Sequence, residues 1–213
     1  MMNMDWQEKA ALYELLALGL RLPDKTLTEP LSSGEFGAAL RELAELNGVA
    51  SHVTAAAVSE LEVYRGQNPD DLIHVLRIER TRLFVGETEP LVSPYGGIWW
   101  ARRNGTAPLV FVTEEARAVK RFMASCGIGQ SEGTNEPLDS IATELEFLHY
   151  LCLVRGAFVP KPHVAEGTSF PEGAYEDFYE QHFATWNKEF AEAVIRESRI
   201  PYYRAIARVL ACS

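Results

Sequence analysis

The spacing most suggestive of chemistry is Glu146-Phe-Leu-His149. Glu-x-x-His places two metal ligands on one helix face, as di-iron bundles do, and Asp71-Leu-Ile-His74 offers an imperfect second copy. A di-metal centre would need further carboxylates from other helices, for which Glu14, Glu79 and Glu144 are available but not distinguished. Such spacings also arise by chance in a chain with 30 acidic residues, where they are solvated helix flanks. Other catalytic signatures fail. In Gly127-Ile-Gly129-Gln-Ser-Glu-Gly133 the last glycine comes one residue late for a dinucleotide loop, and the segment follows a helical pattern, not a strand. No Walker A run and no G-x-S-x-G elbow occur. No catalytic activity and no bound cofactor are therefore expected; the alternative is a metal-dependent helical-bundle enzyme using Glu146 and His149 with Asp71 and His74.

Two further groups of residues suit binding. Tyr95, Trp99 and Trp100 lie in a stretch, residues 87–112, punctuated by Pro90, Pro94, Gly96, Gly97, Gly105 and Pro108. Large rings with polar tips anchor binding surfaces, although the same rings could cover a core. Glu136, Asp139, Glu144 and Glu146 make the start of a later helix acidic, either as a rim for a cationic ligand or as partners of the helix dipole.

The elements that must position these groups read as helices. Asp5 caps a first helix with Tyr13, Leu16, Ala17 and Leu20 on one face, stopped by Pro23. Phe36, Ala39, Leu40 and Leu43 form a second stripe ending at Asn47-Gly48, and Val53, Ala57, Leu61 and Tyr64 a third ending at Gly66. Pro69-Asp70 opens a fourth, with Leu72, Val75, Leu76 and Leu83 inward and a stop near Gly86. After the 87–112 stretch, Thr113 caps a helix carrying Val119, Phe122 and Met123, closed by Gly127. Residues 127–136 read as a polar linker. Pro137 opens a helix through 154 with Ile141, Leu145, Leu148 and Cys152 on one stripe. Residues 156–173 are a second proline- and glycine-rich loop. Tyr175, Phe178 and Phe183, then Trp186, Phe190 and Val194, belong to two more helices, and Pro201 begins a last one with Tyr203, Ile206 and Leu210. The expectation is an all-α, single-domain bundle over residues 1–213, with roughly eight to ten helices.

Composition narrows the partners. At 47% hydrophobic the chain is not disordered, and its formal charge of −10 repels nucleic acid and anionic lipid while attracting cationic peptides. Cys126, Cys152 and Cys212 form no CxxC pair. With no basic flank or long apolar run at the start, a cytoplasmic location with reduced thiols is expected.

Four segments carry a resemblance to the TorD/DmsD/NarJ group of redox-enzyme maturation chaperones, nearly end to end: ALYELLALGLRLPDKTL, RTRLFVGETEPLVSPYGGIWW, NEPLDSIATELEFLHYL and EQHFATWNKEFAEAVIRESRIPYYRAIARVL. The second is similar to the family's Leu-Phe-x-Gly stretch and its aromatic loop, the third to its Glu-Pro-x-Asp-His-Ile…Glu-Leu-Glu-Phe helix start. The resemblance implies an all-helical chaperone. It would bind the twin-arginine signal peptide and catalytic subunit of a molybdopterin oxidoreductase until cofactor insertion and export, as a monomer or a helix-swapped dimer. It implies peptide-binding positions at Leu83, Phe84, Pro94, Tyr95, Trp99, Glu136, Pro137, Asp139, Ser140, Ile141 and Glu144. This chain departs from the pattern at Ser140, where the family has histidine, at Ser93, in place of a proline, and at Gly96-Gly97. A twin-arginine leader needs an apolar groove with acids at one end. Phe84, Tyr95, Trp99 and Ile141 are expected to supply the groove, and Asp139 with Glu136 or Glu144 to meet the arginines.

Overall fold

The structure is a computed structural model that describes residues 5–106, 113–129, 137–162, 164 and 169–213. These contain eleven α-helices: α1 Trp6–Leu20, α2 Lys25–Ser33, α3 Glu35–Leu46, α4 Ser51–Leu61, α5 Pro69–Phe84, α6 Gly96–Arg103, α7 Glu114–Ser125, α8 Ile141–Arg155, α9 Ala174–Gln181, α10 Asn187–Glu197 and α11 Pro201–Leu210. Short 3₁₀ turns follow α4 and α9. The only extended pairing among the described residues is one isolated antiparallel bridge, Tyr95 to Ser140. The all-α expectation holds, with one helix more than expected. No helix among the described residues is long and apolar enough to cross a membrane.

The helix ends follow from local chemistry. Asp5 accepts from the amides of Gln7 and Glu8, and Asn68 from those of Asp70 and Asp71 ahead of Pro69 at N1. Gly48, Gly66, Gly86 and Gly127 all take positive φ just after helical segments, where a Cβ would be strained. Three boundaries differ from expectation. Helix α2 fills what read as a connection, because Asp24 caps it through the Thr26 amide although Pro30 lies inside it. The 87–112 stretch contains α6. Helix α8 starts at Ile141, not Pro137: residues 137–140 form a turn, and Ser140 Oγ accepts from the Thr143 amide to cap the helix.

Contacts divide the chain into two units, Met1–Tyr13 with Pro94–Asn187, and Glu14–Ser93 with Lys188–Ser213. In the first unit, α8 is buried almost all round, through Ile141, Leu145, Phe147, Leu148, Leu151 and Cys152. Its core is aromatic: Phe178 meets Phe147 edge-on at 4.7 Å and Phe122 at 5.4 Å, while the Tyr13 and Tyr175 hydroxyls lie 3.0 Å apart, buried. In the second unit, α11 lies against α4 and is buried along most of its length. Its two tyrosines bury their rings and still satisfy their hydroxyls, Tyr202 donating to the Gly19 carbonyl (2.9 Å) and Tyr203 to that of Leu76 (3.0 Å). On α5, Leu72, Leu76 and Leu83 are buried as expected, but Val75 is exposed; Glu79 takes an inward position instead. It can do so because Arg82 donates to its carboxylate at 2.8 and 2.7 Å and the Arg199 amide at 2.6 Å.

Candidate functional site: the junction of two motifs

Within the first unit the aromatic stretch and the acidic motif are joined. The Ile141 amide donates to the Pro94 carbonyl and the Gly96 amide to the Asp139 carbonyl, both at 2.8 Å, which makes the Tyr95–Ser140 bridge. Helix α6 begins at once after it. Tyr95, its N-cap residue, provides no side-chain cap. The cap comes from the other motif: Asp139 Oδ2 accepts from the Gly97 amide at 2.9 Å. A carboxylate there satisfies an orphan donor and complements the helix dipole. Burial, at 3% exposure, raises the Asp139 pKa, and the Gly97 bond opposes that rise.

The two glycines that open α6 are required by space. A Cβ on Gly97 would lie 2.0 Å from Thr113 Oγ1 and 2.9 Å from Asp139 Oδ2. One on Gly96 would lie 2.8 Å from Trp186 Nε1 and 3.3 Å from Glu144 Oε1. Thr113 is itself engaged, accepting from the Ala116 amide to cap α7. Glu144 is fully buried. Trp186 Nε1–H donates to its Oε2 at 3.1 Å, while Oε1 is buried without a hydrogen-bond partner. Burial first, and then the neighbouring Asp139 charge, push the Glu144 pKa well above the glutamate range, against the lowering effect of the Trp186 bond. Glu144 is thus a neutral acid at pH 7, the economical state for a carboxyl with no cation beside it. Nearby, His182 Nδ1 lies 2.6 Å from Glu115 Oε1, both largely buried. Arg103 donates to the Thr185 carbonyl.

The expected site residues fall into separate groups. Pro94, Tyr95 and Pro137 are half-buried, Ile141 is buried, and Ser140 caps α8. Trp99 is half-buried, with the Arg102 guanidinium 5.6 Å from its ring centroid. Asp139 and Glu144 point inward, so in this conformation they form no solvent-facing acidic mouth. Leu83 and Phe84 belong to the second unit and lie in its core, Phe84 stacking on Phe190 at 5.8 Å. Glu136 lies outside the described residues. Gly96, Gly97, Thr113 and Trp186 were not expected as parts of this junction. The paired glycines directly before two tryptophans were the signal available in the sequence.

No group of three or more His, Cys, Asp or Glu side chains that could hold a metal occurs among the described residues. His149 Nδ1 instead lies 2.9 Å from the Ala10 carbonyl, and Glu146 and His149 sit in one unit while Asp71 and His74 sit in the other.

Comparison with known proteins places this helical junction in a family. The model of the nitrate reductase delta subunit family matches residues 34–192, and the chain belongs to that family. Among its relatives are proteins named chaperone protein TorD. That of Vibrio cholerae is 26% identical, covering 82% of this chain and 72% of its own length; that of Aliivibrio fischeri is 23% identical, over 96% and 90%. The perchlorate reductase assembly chaperone protein of Dechloromonas aromatica is 24% identical, over 84% and 74%.

Proposed function

We propose that this protein is a cytoplasmic maturation chaperone that binds the twin-arginine leader and catalytic subunit of a molybdenum-containing reductase and performs no catalysis itself. The observation that carries the reading is the near full-length match to relatives named as chaperones, one of them for assembly of a reductase. The site chemistry agrees with it. Buried caps and close-packed glycines fix α6, and α6 presents half-exposed Tyr95 and Trp99, rings onto which arginine guanidinium planes stack. A rigid aromatic platform on a chain of net charge −10 suits a cationic peptide. Asp139 and Glu144 serve this surface from inside, by holding the platform in place.

Titration calorimetry with a synthetic leader carrying two consecutive arginines tests the proposal. Saturable binding is expected. Tyr95→Ala and Trp99→Ala should each weaken it by about 1–3 kcal/mol, roughly five- to a hundredfold, the range for aromatic anchors. Asp139→Ala should weaken binding and lower stability together. If Tyr95→Ala and Asp139→Ala both bind as tightly as the parent, the leader site lies elsewhere.

A further inference from the structure

The outward face of α5 in the second unit has a composition that packing within the chain does not use. Val75 (45% exposed), Ile78 (71%) and Val85 (54%) are three of the eight large apolar side chains that the described residues expose. The other five are scattered over other segments. At 100° per residue the three fall within about 80° of one another, so they form one stripe. From Val75 to Val85 the stripe runs ~15 Å at 1.5 Å per residue. Scattered apolar side chains on a surface need no explanation, but a continuous stripe does.

Both ends of the stripe are acidic. Asp70 and Asp71 precede it and Glu87 and Glu89 follow it, all exposed except the half-buried Asp70. Nearby basic groups are engaged elsewhere. Arg82 binds Glu79 and the Glu197 carbonyl, and Arg77 Nε donates to the Pro23 carbonyl at 2.8 Å. Lys25 meets Asp70 at 3.1 Å, but both are more than 60% exposed, so that pair contributes little.

We infer that this face docks the apolar stretch of a client leader, as a helix or extended segment whose flanking basic residues meet the acids at the stripe's ends. Charge selects this occupant over a second copy of the chain. Pairing two α5 faces antiparallel would set Asp70 and Asp71 against Glu87 and Glu89, and pairing them parallel would set each acidic end against itself. Like charges would oppose in both cases. A segment that is apolar in the middle and cationic at an end meets the stripe and its acids together. The inference rests on the leader-binding reading and adds a second, separate contact surface to it.

The test uses the full chain and a synthetic peptide of two arginines followed by about ten apolar residues, the helical length that matches the stripe. Binding is measured by calorimetry, with light scattering for oligomeric state, on the parent and on a Val75→Ser/Ile78→Ser variant. Both side chains face solvent, so the variant folds normally. The expected result is at least tenfold weaker binding by the variant, and comparable loss when the peptide's apolar run is replaced by serine and glycine. Parent-like binding by the variant overturns the docking inference and leaves the chaperone reading standing. Absence of peptide binding to the parent overturns both. Conversion of a dimer to a monomer with peptide binding unchanged assigns the face to a second copy and overturns the inference.

Discussion

Gly97→Ala discriminates between the local and the tertiary account of α6. Locally, Gly97 is a helical residue, and replacing helical glycine by alanine stabilises by about 0.5–1 kcal/mol. The structure reverses that sign. The new Cβ would lie 2.0 Å from Thr113 Oγ1 and 3.0 Å from Thr113 Cβ. Thr113 is buried and its hydroxyl caps α7 through the Ala116 amide at 3.1 Å. If the hydroxyl is displaced, the α7 cap is lost, at about 1 kcal/mol. If α6 shifts instead, the Gly97 amide leaves the Asp139 carboxylate, a bond to an ionisable buried group worth about 1.5–3 kcal/mol. Overpacking adds ~1–3 kcal/mol in either case. Less the propensity gain, a net loss of roughly 1–4 kcal/mol is expected. In urea it should appear as a lower midpoint with little change in slope. A double-mutant cycle with Thr113→Ala isolates the clash. Removing Oγ1 should make Gly97→Ala less costly by more than about 0.5 kcal/mol, the limit for independent sites. A Gly97→Ala protein as stable as the parent would refute the proposed capping of α6 by Asp139 and its crowding against Thr113.

Two other perturbations follow from the buried acids. Glu144 has a folded-state pKa raised above its unfolded value, so its contribution to stability is fully present at low pH and is lost as pH rises from the ordinary glutamate range toward the raised value. Glu144→Gln, which keeps an acceptor for Trp186 without a titrating proton, should flatten that part of the pH–stability curve; an unchanged alkaline decline would show that Glu144 is not its source. Glu79 is the opposite case: burial would raise its pKa, but the Arg82 and Arg199 bonds outweigh it and hold the carboxyl below its usual range. Its stabilisation is therefore present above that range and fades on acidification. Glu79→Ala, which strands the part-buried Arg82, should cost about 2–4 kcal/mol in denaturant unfolding near neutral pH, less than a fully buried pair because Arg82 retains some solvent. A cost under ~1 kcal/mol would show that water replaces the carboxylate.

Most of the helical framework was legible because strong local signals agree with it. Asp5, Asn68 and Thr113 cap where side-chain chemistry predicts, Gly48, Gly66, Gly86 and Gly127 end segments at positive φ, and Pro201 opens α11. The failures share one cause, long-range packing overriding local pattern. Pro30 and the serines after it disguise α2, which is held by burial of Leu27 and Leu31 and by the Asp24 cap. Val75 matches the apolar period of α5 yet faces out, while Glu79 faces in because Arg82 and the Arg199 amide, 120 residues away, satisfy it. Pro137 looks like a helix start, but residues 137–140 are occupied in pairing with Pro94–Gly96. The meeting of the two motifs could be suspected from resemblance alone. Its consequence, that Asp139 and Glu144 turn away from solvent, could not, because spacing says nothing about which neighbour accepts a carboxyl.

That inward turn changes where the attraction for a cationic leader must originate. A neutral, fully buried Glu144 contributes no charge to the surface field, and the Asp139 oxygen bound to Gly97 is already committed to a helix end. The pull of a chain with 30 acids against 20 bases comes from its exposed carboxylates, among them Asp71, Glu87 and Glu89 beside the α5 stripe. Such a field speeds encounter and weakens with salt. It does not choose a partner. Selection falls to the surfaces whose shape is fixed, the aromatic side chains of α6 and the apolar stripe of α5. The buried acids govern the first of these without touching a ligand, by fixing the two glycines against Thr113 and Trp186. A loss of binding on mutating Asp139 or Glu144 would then report the position of Tyr95 and Trp99, and it should be nearly independent of salt. Loss of an exposed acid should change association rate and its salt dependence first.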